Sequence, residues 1–292
     1  MKDLFTVVVT PFLKQQIDWD SFASLIDFQL QGGIGGLWIA GTTGEAPTLS
    51  NDEKQKLVEF ALKRVEGRVP VFLGVGWNDT ARAIQLALDA ERWGADGIST
   101  VVPYYNLPPQ RGLIRHFTMI ASVTRLPVFL INVPGRTVVK LDTDTIARLS
   151  GIRNIVGLKE VARDPAQTAA LIKRCEPGFR VLAGNDRTSM DLLRVGATGI
   201  SSVVANVIPG AVSQAMAATL AGDADAPAAY RERYMGLIES MFLESNPIPA
   251  KAALKEMGVI RSDELRLPLV SLSDDCRVDL RRVLKSYGLL PG

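Results

Sequence analysis

The sequence predicts a (β/α)₈ barrel carrying a C-terminal helical appendage. Eight short, β-rich apolar runs alternate with longer amphipathic stretches. Runs that are apolar throughout and spaced by helices indicate a parallel sheet covered on both faces. The chain has 292 residues, enough for a barrel of about 250 residues plus an appendage. Eight units at that length favour closure over a doubly wound open sheet. One phrase also recurs. Gly94-Ala-Asp-Gly-Ile-Ser and Gly196-Ala-Thr-Gly-Ile-Ser each lead into a run, and Gly33-Ile-Gly-Gly-Leu-Trp is a looser copy. Each reads as a helix C-cap followed by a tight turn into a strand.

The first run, Thr6–Thr10, is followed by the amphipathic stretch Asp18–Gln31, and the second, Leu37–Gly41, by Asn51–Val65. Val69–Gly74 precedes Asp79–Trp93, Gly97–Val102 precedes the helical pattern Arg111–Val123, and Val128–Asn132 precedes Asp142–Leu149. Ile155–Lys159, Arg180–Gly184 and Gly199–Val204 complete the eight. Several helices open on Asp or Asn, residues that cap a helix N-terminus. From about Gly222 the alternation stops, and Ala226–Leu243, Pro249–Met257 and Val278–Tyr287 read as helices. The expected division is a catalytic barrel over 1–222 and a helical region over 223–292 packed on it, since no Gly/Ser linker separates the two.

Composition narrows the function. The formal charge is only +2, and no basic tract with interleaved aromatics points to nucleic acid. No apolar run reaches the roughly 18 residues that span a bilayer. The N-terminus lacks a signal-peptide layout, so the expectation is a cytoplasmic enzyme. Cys175 and Cys276 form no CxxC pair, which argues against a disulfide scaffold or a structural zinc site. His116 is the sole histidine, so a His-rich zinc site cannot be built. His116 itself reads as a helix-face residue. No GxGxxG or GxxxxGK[ST] phosphate loop occurs. Chemistry must come from lysine, tyrosine, carboxylate or arginine.

Barrel active sites form at the C-terminal ends of the strands. Lys159 follows Ile155-Val-Gly-Leu158 and lies at a strand tip. There it is either a partly desolvated nucleophile or a rim lysine paired with a carboxylate such as Glu160. Thr42 and Thr43 lie between Gly41 and Gly44, in what is either a plain turn after a strand or one whose amides and hydroxyls bind a carboxylate. Tyr104 and Tyr105 are adjacent loop aromatics. Arg136, after Pro134-Gly135, suits either bidentate carboxylate capture or a surface ion pair.

Together these residues resemble the dihydrodipicolinate synthase / N-acetylneuraminate lyase family over nearly the whole chain. Five motifs occur in order: Gly41-Thr-Thr-Gly-Glu-Ala-Pro-Thr-Leu49, Pro103-Tyr-Tyr-Asn106, Asn132-Val-Pro-Gly-Arg-Thr137, Gly157-Leu-Lys-Glu160 and Asn246-Pro-Ile-Pro249. The arginine motif, the Asn-Pro-Ile-Pro run and Leu265-Arg-Leu-Pro-Leu269 resemble the synthase branch. The resemblance implies that Lys159 forms a Schiff base with pyruvate and that Thr42 and Thr43 hold the pyruvate carboxylate. It further implies that the enamine adds to aspartate semialdehyde, bound by Arg136, in lysine biosynthesis. It implies no metal and no nucleotide cofactor, small keto-acid and aldehyde partners, and a homotetramer built as a dimer of dimers. Thr42 matches the family's relay threonine and Tyr105 its tyrosine donated by a neighbouring subunit. Gly184 and Ser201 match positions lining the substrate, Ser201 where the family presents a main-chain carbonyl.

One position departs. The family's second relay tyrosine directly precedes Asn132, and Ile131 stands there. Isoleucine has no proton to give. Three readings follow: a slow synthase, a related lyase acting on another aldehyde or sugar acid, and a keto-acid-binding paralogue with little turnover. A second departure concerns regulation. Asn78 and Tyr104 match the family's lysine-effector site, but Lys54 and Arg82 add two cations there, which repel lysine. The expectation is that lysine does not inhibit.

Overall fold

The computed structural model describes residues 3–161 and 164–290. Eight parallel strands close into a barrel: β1 (Leu4–Val7), β2 (Gly36–Ile39), β3 (Val71–Gly74), β4 (Gly97–Val101), β5 (Val128–Asn132), β6 (Ile155–Glu160), β7 (Arg180–Ala183) and β8 (Gly199–Ser202). Each strand pairs with its chain neighbours, and β1 closes the ring against both β8 and β2. The expected (β/α)₈ barrel is therefore the observed fold.

The helices are α1 (Trp19–Gln31), α2 (Asn51–Val65), α3 (Thr80–Arg92), α4 (Gln110–Ser122), the short α5 (Pro134–Thr137), α6 (Thr143–Ser150), α7 (Pro165–Arg174), α8 (Ser189–Arg194) and α9 (Pro209–Leu220), followed by α10 (Ala226–Ser240), α11 (Ile248–Glu256) and α12 (Asp274–Ser286). Several of the starts follow from capping chemistry. Asp18 and Asp79 accept from the backbone amides of Ser21 and Ala81. At α2 the cap is Ser50, not Asn51, in a reciprocal capping box with Glu53. The repeated glycine turn also behaves as read: Gly33, Gly94 and Gly196 take φ of +71°, +82° and +107°, a region L side chains disfavour.

The lumen below the active end is filled by rings. Phe5, Trp38, Phe72 and Phe129 lie with centroids 5.3–6.5 Å apart. Phe5, Phe72 and Phe129 each stand in register with a glycine on the next strand: Gly36, Gly97 and Gly157. A Cβ at those glycines would come within 2.4, 2.2 and 2.4 Å of the facing ring. Strand glycines are thus the sockets for the aromatic layer. Arg180 stacks 4.6 Å from the Phe129 ring centroid and pairs with Asp3, closing this end.

The C-terminal helices join the same core: Leu237, Ile238, Leu254, Leu280 and Leu284 belong to one hydrophobic cluster with Leu4 and Leu37. Ion pairs reinforce the join, linking Arg261 to Asp18, Arg266 to Glu53 and Lys251 to Glu45. A two-residue hairpin turn at Lys14-Gln15, both at positive φ, is held by the Glu264 carboxylate, which accepts from both backbone amides. No described helix is long and apolar enough to cross a membrane.

Candidate active site

Lys159 is the penultimate residue of β6. Its register partners are Ile131 on β5 and Leu182 on β7. Side chains alternate faces along a strand. Phe129 and Leu182 lie in the lumen cluster against which Ile131 packs, so Ile131 and Lys159 line the lumen one step above the ring layer. The Lys159 Nζ lies 5.8 Å from the Trp38 ring centroid.

Two features shape this lysine. The first is Gly184, just past β7. A Cβ there would sit 2.8 Å from both Cγ and Cε of Lys159 and 3.0 Å from the Glu160 carbonyl, so only glycine leaves room for the side chain. The second is electrostatic. Burial pushes the Lys159 ammonium down to about 8; the Asp186 charge works against that fall and the Arg136 cation assists it. A lysine with ordinary pKa near 10.4 is almost wholly protonated at neutral pH. Lowering it to about 8 supplies a usable fraction of free amine.

Asp186 is a site residue that sequence reading missed. The sequence shows it only as part of an acidic loop after the seventh strand. In the fold it is buried, accepting from Ser202 Oγ at 2.6 Å and from the amides of Val203 and Val204 at 2.9 and 3.0 Å. Burial raises its own pKa, opposed by those hydrogen bonds and by Lys159.

The threonine loop follows β2. Thr42 is exposed and Thr43 buried. The loop glycines do not supply its unusual dihedrals. Ala40 and Glu45 hold φ of +51° and +56° instead, while a Cβ at Gly44 would crowd the backbone of Ala40 and Val8 at 3.0–3.2 Å. Further positive-φ residues, Tyr105, Leu107 and Val138, lie on the loops after β4 and β5. Such strain concentrates at functional sites.

The loop is tied down by the C-terminal region. Thr43 Oγ1 accepts from Asn246 Nδ2 at 3.0 Å. Glu45 is fully buried, accepting from Lys251 Nζ at 2.6 Å and, through its other oxygen, from the Arg266 amide at 3.1 Å. Burial lowers the Lys251 pKa to about 8, with Glu45 opposing. Arg136, on α5, donates Nη2 to the Asn246 carbonyl at 3.0 Å. The sequence marks Asn246 through its motif but gives no sign of these long-range bonds.

The remaining expected positions divide. Ser201 on β8 is buried in register with Phe5, its Oγ lacking a protein partner. Tyr105 is 88 % exposed, and its hydroxyl makes no hydrogen bond among the described residues. Asn106 Nδ2 holds that loop by donating to the Asn78 carbonyl at 2.8 Å. His116 is a buried residue of α4, bonded through Nδ1 to Thr80 Oγ1 at 2.9 Å. Burial lowers its pKa to about 4, so it stays neutral. Lys54, buried on α2, and Arg82 on α3 each lie 5.6 Å from the Trp77 ring centroid. Among the described residues no cluster of three or more His, Cys, Asp or Glu forms a metal site.

Known proteins match this chain in sequence and in fold. Residues 1–287 match the model of the dihydrodipicolinate synthetase family. The chain is 44 % identical over 283 residues to the 4-hydroxy-tetrahydrodipicolinate synthase of Syntrophobacter fumaroxidans, covering 97 % of each. It is 43 % identical over 284 residues to that of Pseudomonas aeruginosa, again covering 97 % of each. Among solved structures, a dihydrodipicolinate synthase from Thermotoga maritima superimposes with a TM-score of 0.96 at 40 % identity, over 99 % of both chains.

Proposed function

Since the chain belongs to the dihydrodipicolinate synthetase family, we propose that it is a pyruvate-dependent lyase whose covalent amine is Lys159. The observation that carries this reading is the half-buried Lys159 amine, enclosed by Gly184 and brought to about 8, at the open end of the barrel. The neutral amine adds to the pyruvate ketone, water leaves, and an imine forms. Thr42 and Thr43 hold the pyruvate carboxylate. The protonated imine withdraws electrons, a methyl proton departs, and the resulting enamine is a carbon nucleophile. Its acceptor is aspartate semialdehyde, with Arg136 on the acceptor carboxylate, as the resemblance to the synthase branch implies. The covalent imine takes the place of a metal or nucleotide cofactor.

Ile131 sets the rate. It stands in register with Lys159, at a position where the resemblance implies a relay tyrosine. A positioned acid–base group contributes roughly 10²- to 10⁴-fold, so condensation is slow. Tyr105, extending from the subunit surface, serves the site of a neighbouring chain in a homotetramer. The region matching the lysine-effector site carries Lys54 and Arg82, and these two cations at Trp77 disfavour the ammonium of free lysine.

The test is turnover of pyruvate with aspartate semialdehyde. The reading expects slow product formation that Ile131→Tyr accelerates, and no inhibition by sub-millimolar lysine. Imine formation without turnover in either form favours the alternative of a keto-acid-binding paralogue. That reading draws its support from Ile131 alone.

A further inference from the structure

Asn246 lies between the two groups assigned to the substrate carboxylates. It is 6 % exposed and sits just before α11. Its side-chain Nδ2 donates to Thr43 Oγ1 at 3.0 Å, and its main-chain carbonyl accepts from Arg136 Nη2 at 3.0 Å. The same segment reaches the threonine loop a second time, through the buried Lys251–Glu45 pair at 2.6 Å. Lys251 is fixed in turn by the Glu264 carbonyl at 2.7 Å and by the Phe12 ring at 4.2 Å. Residues 246–251 are thus a rigid strut with one contact on Arg136 and two on the loop of Thr42 and Thr43.

We propose that Asn246 is a positioning residue that holds Thr43 and Arg136 in one frame, fixing the spacing between the keto-acid site and the acceptor site. A threonine hydroxyl rotates freely unless bonded. Holding it with a buried amide donor leaves its hydrogen free to point at the keto-acid carboxylate. Arg136 has a long, rotamer-rich side chain, and a bond to a main-chain carbonyl removes part of that freedom before the acceptor arrives. Asn246 Oδ1 is buried without a protein partner, so the amide is anchored through its donor end and the Thr43 bond is the one that orients it. Asn246 acts through Thr43 and Arg136 and touches no reacting atom.

The inference rests on the assignment of Lys159 as the imine-forming amine, and the experiment separates the two. Borohydride trapping is measured against pyruvate concentration for the wild type, Asn246→Ala, Thr43→Val and the double variant, with melting followed in parallel. Absence of an adduct in the wild type overturns the Lys159 assignment itself. With that adduct present, Asn246→Ala is expected to need about 3- to 10-fold more pyruvate for half-maximal trapping, the scale of one lost hydrogen bond. The double variant is then expected to be no worse than Thr43→Val alone. An unchanged pyruvate dependence in Asn246→Ala, or fully additive losses in the double variant, overturns the proposal. Should Asn246→Ala not fold, Thr43→Val probes the bond from its other end, and wild-type pyruvate dependence there overturns it equally. Asn246→Ala keeps the main-chain carbonyl that Arg136 bonds, so in turnover the KM for pyruvate is expected to rise more than that for aspartate semialdehyde. A fall in kcat with both KM values unchanged contradicts a positioning role.

Discussion

At one end of the barrel lumen, Phe5, Phe72 and Phe129 each fill the space left by a glycine on the next strand. At the other end, Gly184 leaves the same kind of space, and Lys159 occupies it. The device is shared and the outcomes differ because the buried groups differ. A ring gains from leaving water, at about 25 cal/mol per Å² of apolar surface, and gives back only stability. An ammonium loses by leaving water, and the loss appears as a pKa brought to about 8. The floor therefore carries apolar packing and the mouth an amine of lowered pKa, with Ile131 and Trp38 at the boundary.

The most severe way to break this contrast is at the mouth. Lys159→Met keeps the volume and removes the amine. It is expected to abolish adduct formation and turnover while leaving melting within a few degrees of wild type, as calorimetry and trapping would show. The next largest effect runs the other way. Ile131→Tyr is expected to raise turnover with aspartate semialdehyde by roughly 10²- to 10⁴-fold; equal rates in both forms would show that another group carries the proton. At the floor, Gly97→Ala drives a methyl into the Phe72 ring. Such overpacking costs about 1–3 kcal/mol, so denaturant melts should shift, while the pH dependence of trapping should not.

The smallest effect concerns that pH dependence. Below its pKa the amine is protonated and cannot attack. The rate of adduct formation should rise with pH through about 8 and level off above it. Asp186 holds the pKa up and Arg136 holds it down. Asp186→Asn should therefore move the midpoint to lower pH, and Arg136→Ala to higher pH. Opposite movements, read from trapping rates across a pH series, would remove the electrostatic account of Lys159.

Much of this was legible in the sequence, where the information is local. Seven of the eight apolar runs lie within two residues of their strands at each end. The first differs most: the strand is Leu4–Val7, not Thr6–Thr10, because Val8 and Val9 are buried in the following loop and hydrophobicity does not distinguish a strand from a buried turn. The last helix begins at Asp274, four residues before the apolar pattern at Val278; the signal was Ser273 followed by Asp274 and Asp275, an acidic first turn. At the site, Lys159, Thr42, Thr43 and Arg136 stand out through motifs at strand ends. Asp186 and the role of Asn246 do not. Asp186 depends on burial against the residues that follow β8, and Asn246 meets Thr43 across 203 positions of chain. Neither relation leaves a spacing that can be read.

The claim on which the rest depends is that Lys159 is the amine that captures the keto acid. Incubation with pyruvate, reduction by borohydride and peptide mass spectrometry test it directly. The account predicts a single reduced pyruvate adduct on Lys159, absent from Lys159→Met. No adduct, or one that persists in that variant on another lysine such as Lys251, would contradict it.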